Sequence, residues 1–263
     1  MADLDYKRKK YQVIAKQVDD MTKNPIQHFM NGTKTFTIGL FGCDFRCSWC
    51  VNSDISQPED NEFKQAIEIE EYHSASEICD MAVENGCPSI TFSFTEPTVW
   101  YEYALYVAEE AHRRGLKTVW KSNGFRTAKI IPKMIGLIDA ANIDIKYFSD
   151  ADYEKFCGKG IRLGPVLETI IGLREIGVHV EVSTILMPTM EQKELENIAK
   201  WIASQSIEIP WHINRFHTMY KAAEHGLEDD RPQFSSDEII AMGHRAGLKH
   251  VYSFEKRPWN RER

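Results

Sequence analysis

Hydrophobic and polar positions along this chain switch between two periods. Short runs rich in β-branched and aromatic residues, closed by Gly or Pro, read as strands. Longer segments with apolar residues three and four apart read as helices. Strands are expected at residues 35–41, 89–94, 117–121, 141–146, 178–187 and 211–216, with a short last one at 249–254. Helices are expected between them, at 74–85, 97–114, 127–137, 164–176, 191–206 and 235–246. The second period is well punctuated at its start: Ser74 and Glu77 form a capping box, and Gly86 is a stop. Residues 5–21 also carry a helical spacing, at Tyr11, Ile14, Ala15, Val18 and Met21, after the basic run Lys7 to Lys10.

Strict strand–helix alternation with short connections implies a parallel sheet with right-handed crossovers. Six units are fewer than a closed barrel's eight. The fold class is therefore α/β, a partial (β/α)6 TIM-like barrel with a short N-terminal helical extension. Residues 1–33 are assigned to that extension, 34–254 to the barrel and 255–263 to a basic C-terminal tail.

Composition narrows the class without changing it. A chain of 263 residues, 43% hydrophobic and 27% charged, suits one large globular domain. A net charge of −7 argues against general nucleic-acid binding. No apolar run approaches the ~20 residues of a membrane span. The charged first ten residues do not read as a signal peptide. Six cysteines without export signals fit a reducing cytoplasm.

Three of those cysteines lie within eight residues, Cys43, Cys47 and Cys50, in the run from Gly42 to Asn52. C-x3-C-x2-C can turn three thiolates toward one point directly after the first strand. Iron–sulfur clusters are held by thiolates, normally four. Three would leave one iron open to a reactant. Structural zinc would want a second C-x2-C or H-x3-5-H pair, and neither occurs. Cys79, Cys87 and Cys157 are isolated and show no ligand spacing.

Barrels of this kind carry reacting groups on loops after the C-terminal ends of strands. Thr95-Glu96-Pro97, Ser122-Asn123-Gly124, Asp144 and Lys146, and His212 and Asn214 fall there. Arg215, His217 and Tyr220 lie beyond. Charges inside barrel strands need partners: a zwitterionic ligand, or each other.

The cysteine spacing, with the aromatic Trp49 before the third cysteine, resembles the radical S-adenosylmethionine (SAM) enzymes. The resemblance implies a [4Fe–4S] cluster on Cys43, Cys47 and Cys50 whose open iron chelates SAM. It also implies reductive cleavage to a 5′-deoxyadenosyl radical that abstracts hydrogen, and a reductant such as flavodoxin or ferredoxin. Ser93 to Pro97 stands in place of the family's Gly-Gly-Glu-Pro stretch, without its glycines. Asp144, Lys146 and His212 match the SAM-contacting positions of pyruvate formate-lyase activating enzyme-type proteins. By the same likeness Asn52 follows the cluster loop, Trp49 lies near the adenine, and Thr95, Glu96, Ser122 and Asn123 border SAM. Runs such as Cys50 to Gln57 and Trp211 to His217 are most similar to the AMMECR1/MEMO-associated radical SAM group, whose extra terminal cysteines this chain lacks.

The expected function is hydrogen abstraction from a protein or peptide, with activation of a glycyl-radical enzyme as one form. The alternative is a small metabolite in a biosynthetic pathway, with Trp100, Tyr101, Tyr103, Trp120 and Tyr220 lining a pocket. A non-catalytic cluster or zinc protein is a third reading, disfavoured by Asp144, Lys146 and His212.

Overall fold

A computed structural model describes residues 9–60, 71–228 and 231–253. Its strands in chain order are β1 (Tyr11–Gln12), β2 (Ala15–Asp20), β3 (Lys34–Gly39), β4 (Tyr72–His73), β5 (Ser89–Phe92), β6 (Lys117–Ser122), β7 (Ala140–Asp144), β8 (His179–Leu186), β9 (Trp211–Arg215) and β10 (Val251–Ser253). The helices are α1 (Ser53–Ser56), α2 (Ala75–Glu84), α3 (Tyr101–Arg113), α4 (Ile131–Met134), α5 (Asp150–Cys157), α6 (Leu163–Glu175), α7 (Gln192–Gln205) and α8 (Ser236–Arg245). Eight strands form one open sheet in the order β10-β9-β8-β7-β6-β5-β3-β2, while β1 and β4 make a separate two-residue pair. Within the eight-stranded sheet every pairing is parallel except that of β2, which runs antiparallel to β3. The partial parallel barrel expected from the alternation is the fold observed.

One face of each strand packs under the helices. Ile38, Phe92, Trp120, Ile143 and Val182 are fully buried there. Burying each such side chain is worth roughly 2 kcal/mol. Trp100, Tyr103 and Trp120 belong to this core rather than to a pocket lining, and Trp120 meets Phe92 edge-on at 5.9 Å. The capping box at Ser74 and Glu77 forms as read.

The N-terminal helix is a correction. Within the described residues 9–20 there is no helix: β2 pairs with β3 from Ala15↔Gly39 to Asp20↔Lys34. Five apolar residues at helical spacing lost to an unpaired sheet edge, whose backbone groups β2 satisfies. The expected helix at 127–137 shrinks to a 3-10 turn and the single turn α4, where Pro132 removes a backbone donor. Residues 1–8 and the expected tail at 255–263 lie outside the described residues, as does Phe254 of the last strand.

Because β2 ends where β3 begins, residues 21–33 must cross the N-terminal end of the barrel. They fill it: Met21 and Ile26 pack on Val119 and Ala140 inside the sheet. Asn142 donates to the Pro25 carbonyl at 2.9 Å. The Gln27 and His28 amides both donate to the Glu181 carboxylate on β8. With this end plugged, the opposite end, at the C-terminal tips of the strands, is left to build a site.

Candidate active site

The cysteine loop leaves β3 at Gly39, where a side chain has no room: an added Cβ would stand 2.8 Å from the Ser93 carbonyl. The loop is then held from three sides. Thr95 donates its hydroxyl to the Leu40 carbonyl at 2.6 Å, and the Gly42 amide donates to Ile55 at 3.0 Å. From the third side, α5 accepts the Arg46 and Ser48 amides on the Cys157 and Phe156 carbonyls. Helix α5 was absent from the sequence reading, yet it brackets Cys47.

Two of the three sulfurs meet a polar group. The Phe45 amide donates to Cys43 Sγ at 3.4 Å, and the Ser56 hydroxyl lies 3.2 Å from Cys50 Sγ. Such donors favour thiolate ligands. Burial raises the thiols of Cys43 and Cys50, the first further by the nearby Glu96. Cys47 is raised by the neighbouring Cys157 thiol and then by burial. Without a metal these groups hold their protons at neutral pH. Among the described residues no three His, Cys, Asp or Glu side chains are drawn together tightly enough for one metal ion. A [4Fe–4S] cube does not ask for that, since each thiolate binds its own iron. A short loop that brings three thiols to one strand end, two of them with polar partners, fits such a cube.

The next strand end carries a strained residue. Phe94 adopts φ +65°, a left-handed conformation costly for a bulky side chain. It takes up backbone geometry that glycine would supply freely, and its carbonyl accepts the Asn52 side-chain amide at 2.7 Å. That bond ties the cysteine loop to the stretch that follows β5. Glu96 turns into the protein: it accepts from the Thr98 hydroxyl at 2.6 Å, Ser122 at 2.7 Å and the Asn123 amide at 2.8 Å. Burial, reinforced by Asp44, pushes its carboxyl up to about 7. Asn123 donates to Asp44 at 2.8 Å. Glu96, Ser122 and Asn123 thus form one internal network behind the loop. Trp49 is buried edge-on against Tyr147 and Phe156.

Asp144 and Lys146 meet each other at 3.1 Å. A second lysine joins them: Lys121 reaches Asp144 at 3.1 Å and Asn142 at 2.8 Å. Burial alone would raise Asp144, but the two ammonium groups outweigh it and hold the carboxylate below its usual range. Burial works against a charged Lys146 too, and the Asp144 carboxylate overrides it. Two ammonium groups around one carboxylate leave a net positive charge beside the cysteine loop.

His212 is not part of that cluster. It lies level with Asp144 across β8 through the Asp144↔Ser183↔His212 register. Its Nε2, however, bonds Glu181 Oε2 at 2.5 Å, and its ring stacks on Tyr252. The side chain is fully buried. Nε2 of His212 is thus taken by a carboxylate whose burial obliges it to find partners. Burial opposes the Glu181 charge, but hydrogen bonds from His179 and His212 prevail and hold it at about 2.

Sequence reading thus missed Lys121, Glu181 and Cys157. The first two carried a usable signal: each is a charge inside an expected strand, the same feature that singled out Asp144. Cys157 carried none.

Among the described residues no helix is long and apolar enough to cross a membrane. Residues 37–202 match the Radical SAM superfamily. The chain is 32% identical over 247 residues to an uncharacterized protein of Methanocaldococcus jannaschii, covering 89% of this chain and 68% of that one. It is 26% identical over 209 residues to GTP 3′,8-cyclase of Haemophilus influenzae, covering 76% and 58%. It is 24% identical over 208 residues to the pyruvate formate-lyase-activating enzyme of Clostridium pasteurianum, covering 72% and 82%. Among solved structures, a radical SAM methyltransferase from Sphaerobacter thermophilus superposes with TM-score 0.59 at 13% identity, covering 87% and 68%. That likeness shows the shared fold.

Proposed function

The chain belongs to the radical SAM superfamily, and we propose that it is a hydrogen-abstracting enzyme whose substrate is a protein or peptide. Its cofactors are a [4Fe–4S] cluster and SAM, and enzymes of this family need a reductant. When bound, the cluster supplies the electron that cleaves SAM to a 5′-deoxyadenosyl radical. Cys43, Cys47 and Cys50 hold it. The observation that carries the reading is the position of that loop: it stands at the C-terminal end of β3, clamped by α5, with the Lys121–Asp144–Lys146 cluster beside it. A zwitterionic ligand suits this cluster, since Lys146 is already buried and charged and can donate to a carboxylate. Asn52, by fixing the Phe94 carbonyl, presents the 94–95 backbone to an ammonium group. Glu96, Ser122 and Asn123 hold that backbone from behind rather than touching the ligand.

The protein-substrate reading draws support from the activating-enzyme relative, four-fifths of whose length the chain spans, and from a sheet that stays open between β2 and β10. An open edge admits a polypeptide segment. Likeness to the AMMECR1/MEMO-associated group, stated above on short runs, belongs to the same proposal. A second reading, a small-molecule substrate, is favoured by the cyclase relative.

Anaerobic reconstitution followed by dithionite and SAM is expected to release 5′-deoxyadenosine; a reducible cluster that releases none sinks the catalytic reading. To separate the substrates, extract from cells grown in deuterated water is split by size. Deuterium is expected in the 5′-deoxyadenosine formed with the macromolecular fraction. Label found with the small-molecule fraction alone turns the assignment to the second reading.

Lys146→Met is expected to weaken SAM binding by about 1.5–3 kcal/mol, the worth of a hydrogen bond to a charged group. Titration calorimetry on the reconstituted protein measures it. Unchanged affinity removes Lys146 from the SAM site.

A further inference from the structure

Three stretches converge on the outside of the cysteine loop. Residues 45–53 belong to the loop, 124–138 follow β6, and 155–167 run from the end of α5 into α6. Together they carry seven lysines and arginines and no aspartate or glutamate, in a chain whose net charge is −7. Their contact is direct. Gly158 packs on Arg46, an added Cβ there standing 3.5 Å from the Arg46 Cβ. Phe45 meets Phe125 edge-on at 5.8 Å and Tyr153 of α5 at 6.1 Å. Thr169 of α6 donates to the Gly124 carbonyl at 2.6 Å. Phe45 and Cys47 are buried, while Arg46 between them is exposed, as are Arg126, Lys159 and Arg162. Two carboxylates reach this surface: Glu59 pairs with Arg46 at 2.6 Å and Asp44 with Arg126 at 3.4 Å. Asp150 and Glu154 of α5 accept from the Leu163 and Gly160 amides. Among the described residues no carboxylate pairs with Lys159 or Arg162.

We propose that Arg46, Arg126, Lys159 and Arg162 form the docking surface for a small acidic electron-carrier protein. The inference rests on the cluster reading given above, which calls for an electron from outside the chain. One electron passes: the carrier is oxidised by one and the cluster reduced by one, and no proton or atom changes hands. Charge selects the partner. The chain as a whole repels an acidic protein, so a local basic surface is what turns such a protein toward one face. That face backs the ligands. Arg46 stands between Cys43 and Cys47 in the chain, and its guanidinium donates to the Cys43 carbonyl at 2.7 Å. A carrier seated on these cations rests against the loop that holds the cluster. The pairs with Glu59 and Asp44 do not oppose this, since exposed ion pairs are weak and can exchange for a partner's carboxylates.

The test compares the reconstituted wild-type protein with two double variants. Lys159→Glu with Arg162→Glu reverses the patch; Lys200→Glu with Lys249→Glu makes the same change of net charge at exposed lysines on α7 and before β10. Titration calorimetry measures binding of an oxidised acidic flavodoxin, and 5′-deoxyadenosine formation is followed with the same flavodoxin reduced and, separately, with dithionite. Wild type and the control are expected to bind the flavodoxin, more weakly as salt rises. The patch variant is expected to bind about tenfold more weakly or worse, and its flavodoxin-driven cleavage to fall accordingly. Its iron content and its dithionite-driven cleavage are expected to stay at the wild-type level. Undiminished binding in the patch variant overturns the proposal, as does equal weakening in the control or a wild-type protein that binds no flavodoxin. Loss of dithionite-driven cleavage in the patch variant overturns it too, by giving these residues a part in holding the loop. A wild-type protein that cleaves no SAM with dithionite is the separate failure of the underlying reading.

Discussion

Single replacement of Cys43, Cys47 or Cys50 by Ala is expected to abolish 5′-deoxyadenosine formation. The loss should exceed the roughly 100-fold that removing an outer partner of a metal site costs. The loop itself should survive. Its position depends on main-chain bonds from Gly42, Arg46 and Ser48 and on the Thr95 hydroxyl, none of which uses a cysteine side chain. Cys79→Ala and Cys87→Ala provide the contrast. Both side chains are buried in the core away from the loop, so their loss costs packing and leaves the cluster intact. Iron content, visible absorbance and chromatographic detection of 5′-deoxyadenosine read out all five variants. If any of the first three keeps wild-type iron and cleavage, the ligand assignment is wrong.

Glu181→Gln should produce the largest loss of stability, about 3 kcal/mol, the scale for leaving one partner of a buried charged set alone. The carboxylate accepts from the Gln27 and His28 amides and from the rings of His179 and His212. An amide presents its own hydrogens to some of those donors. The plug at residues 21–33 then loses its anchor on β8. The pH dependence has a definite sign. Glu181 sits at about 2 in the folded chain against an ordinary 4.5, so its contribution is complete above pH 4.5. It is lost as pH falls from there toward 2. Urea unfolding of wild type and Glu181→Gln between pH 3 and 7 measures both effects. The two proteins should differ most near neutrality and converge in acid. A constant difference across that range would show that the charge is not what stabilises the plug.

The two variants also probe opposite ends of one barrel, and the ends differ in how legible they were. The cysteine loop was readable because its ligands are neighbours in the chain: three thiols within eight residues bear on one point whatever surrounds them. The strand–helix alternation placed the loop correctly, since hydrophobic period reports burial directly. The plug at the other end was not readable. Residues 5–21 carry a helical spacing of apolar positions, and only the vacant edge of β3 makes 15–20 a strand. Glu181 and His212 are 31 residues apart, and nothing local brings them together.

Asp144 shows the boundary between the two kinds of information. A carboxylate inside an expected strand signals that it must have partners, because an unpaired buried charge is too costly. That much is a property of the residue. Which partners it takes depends on the neighbouring strands: β6 contributes Lys121, and Lys146 folds back from just beyond β7. His212, with the same kind of position, found Glu181 instead. The sequence by itself determined the αβ architecture, the cluster loop and the need for charge partners, all of which rest on contacts near in the chain or on periodicity. Tertiary structure alone decided the antiparallel edge strand, the sealed barrel end, the partner of His212 and the docking of α5 on the cysteine loop. Each of these joins residues whose distance in the chain says nothing about their distance in space.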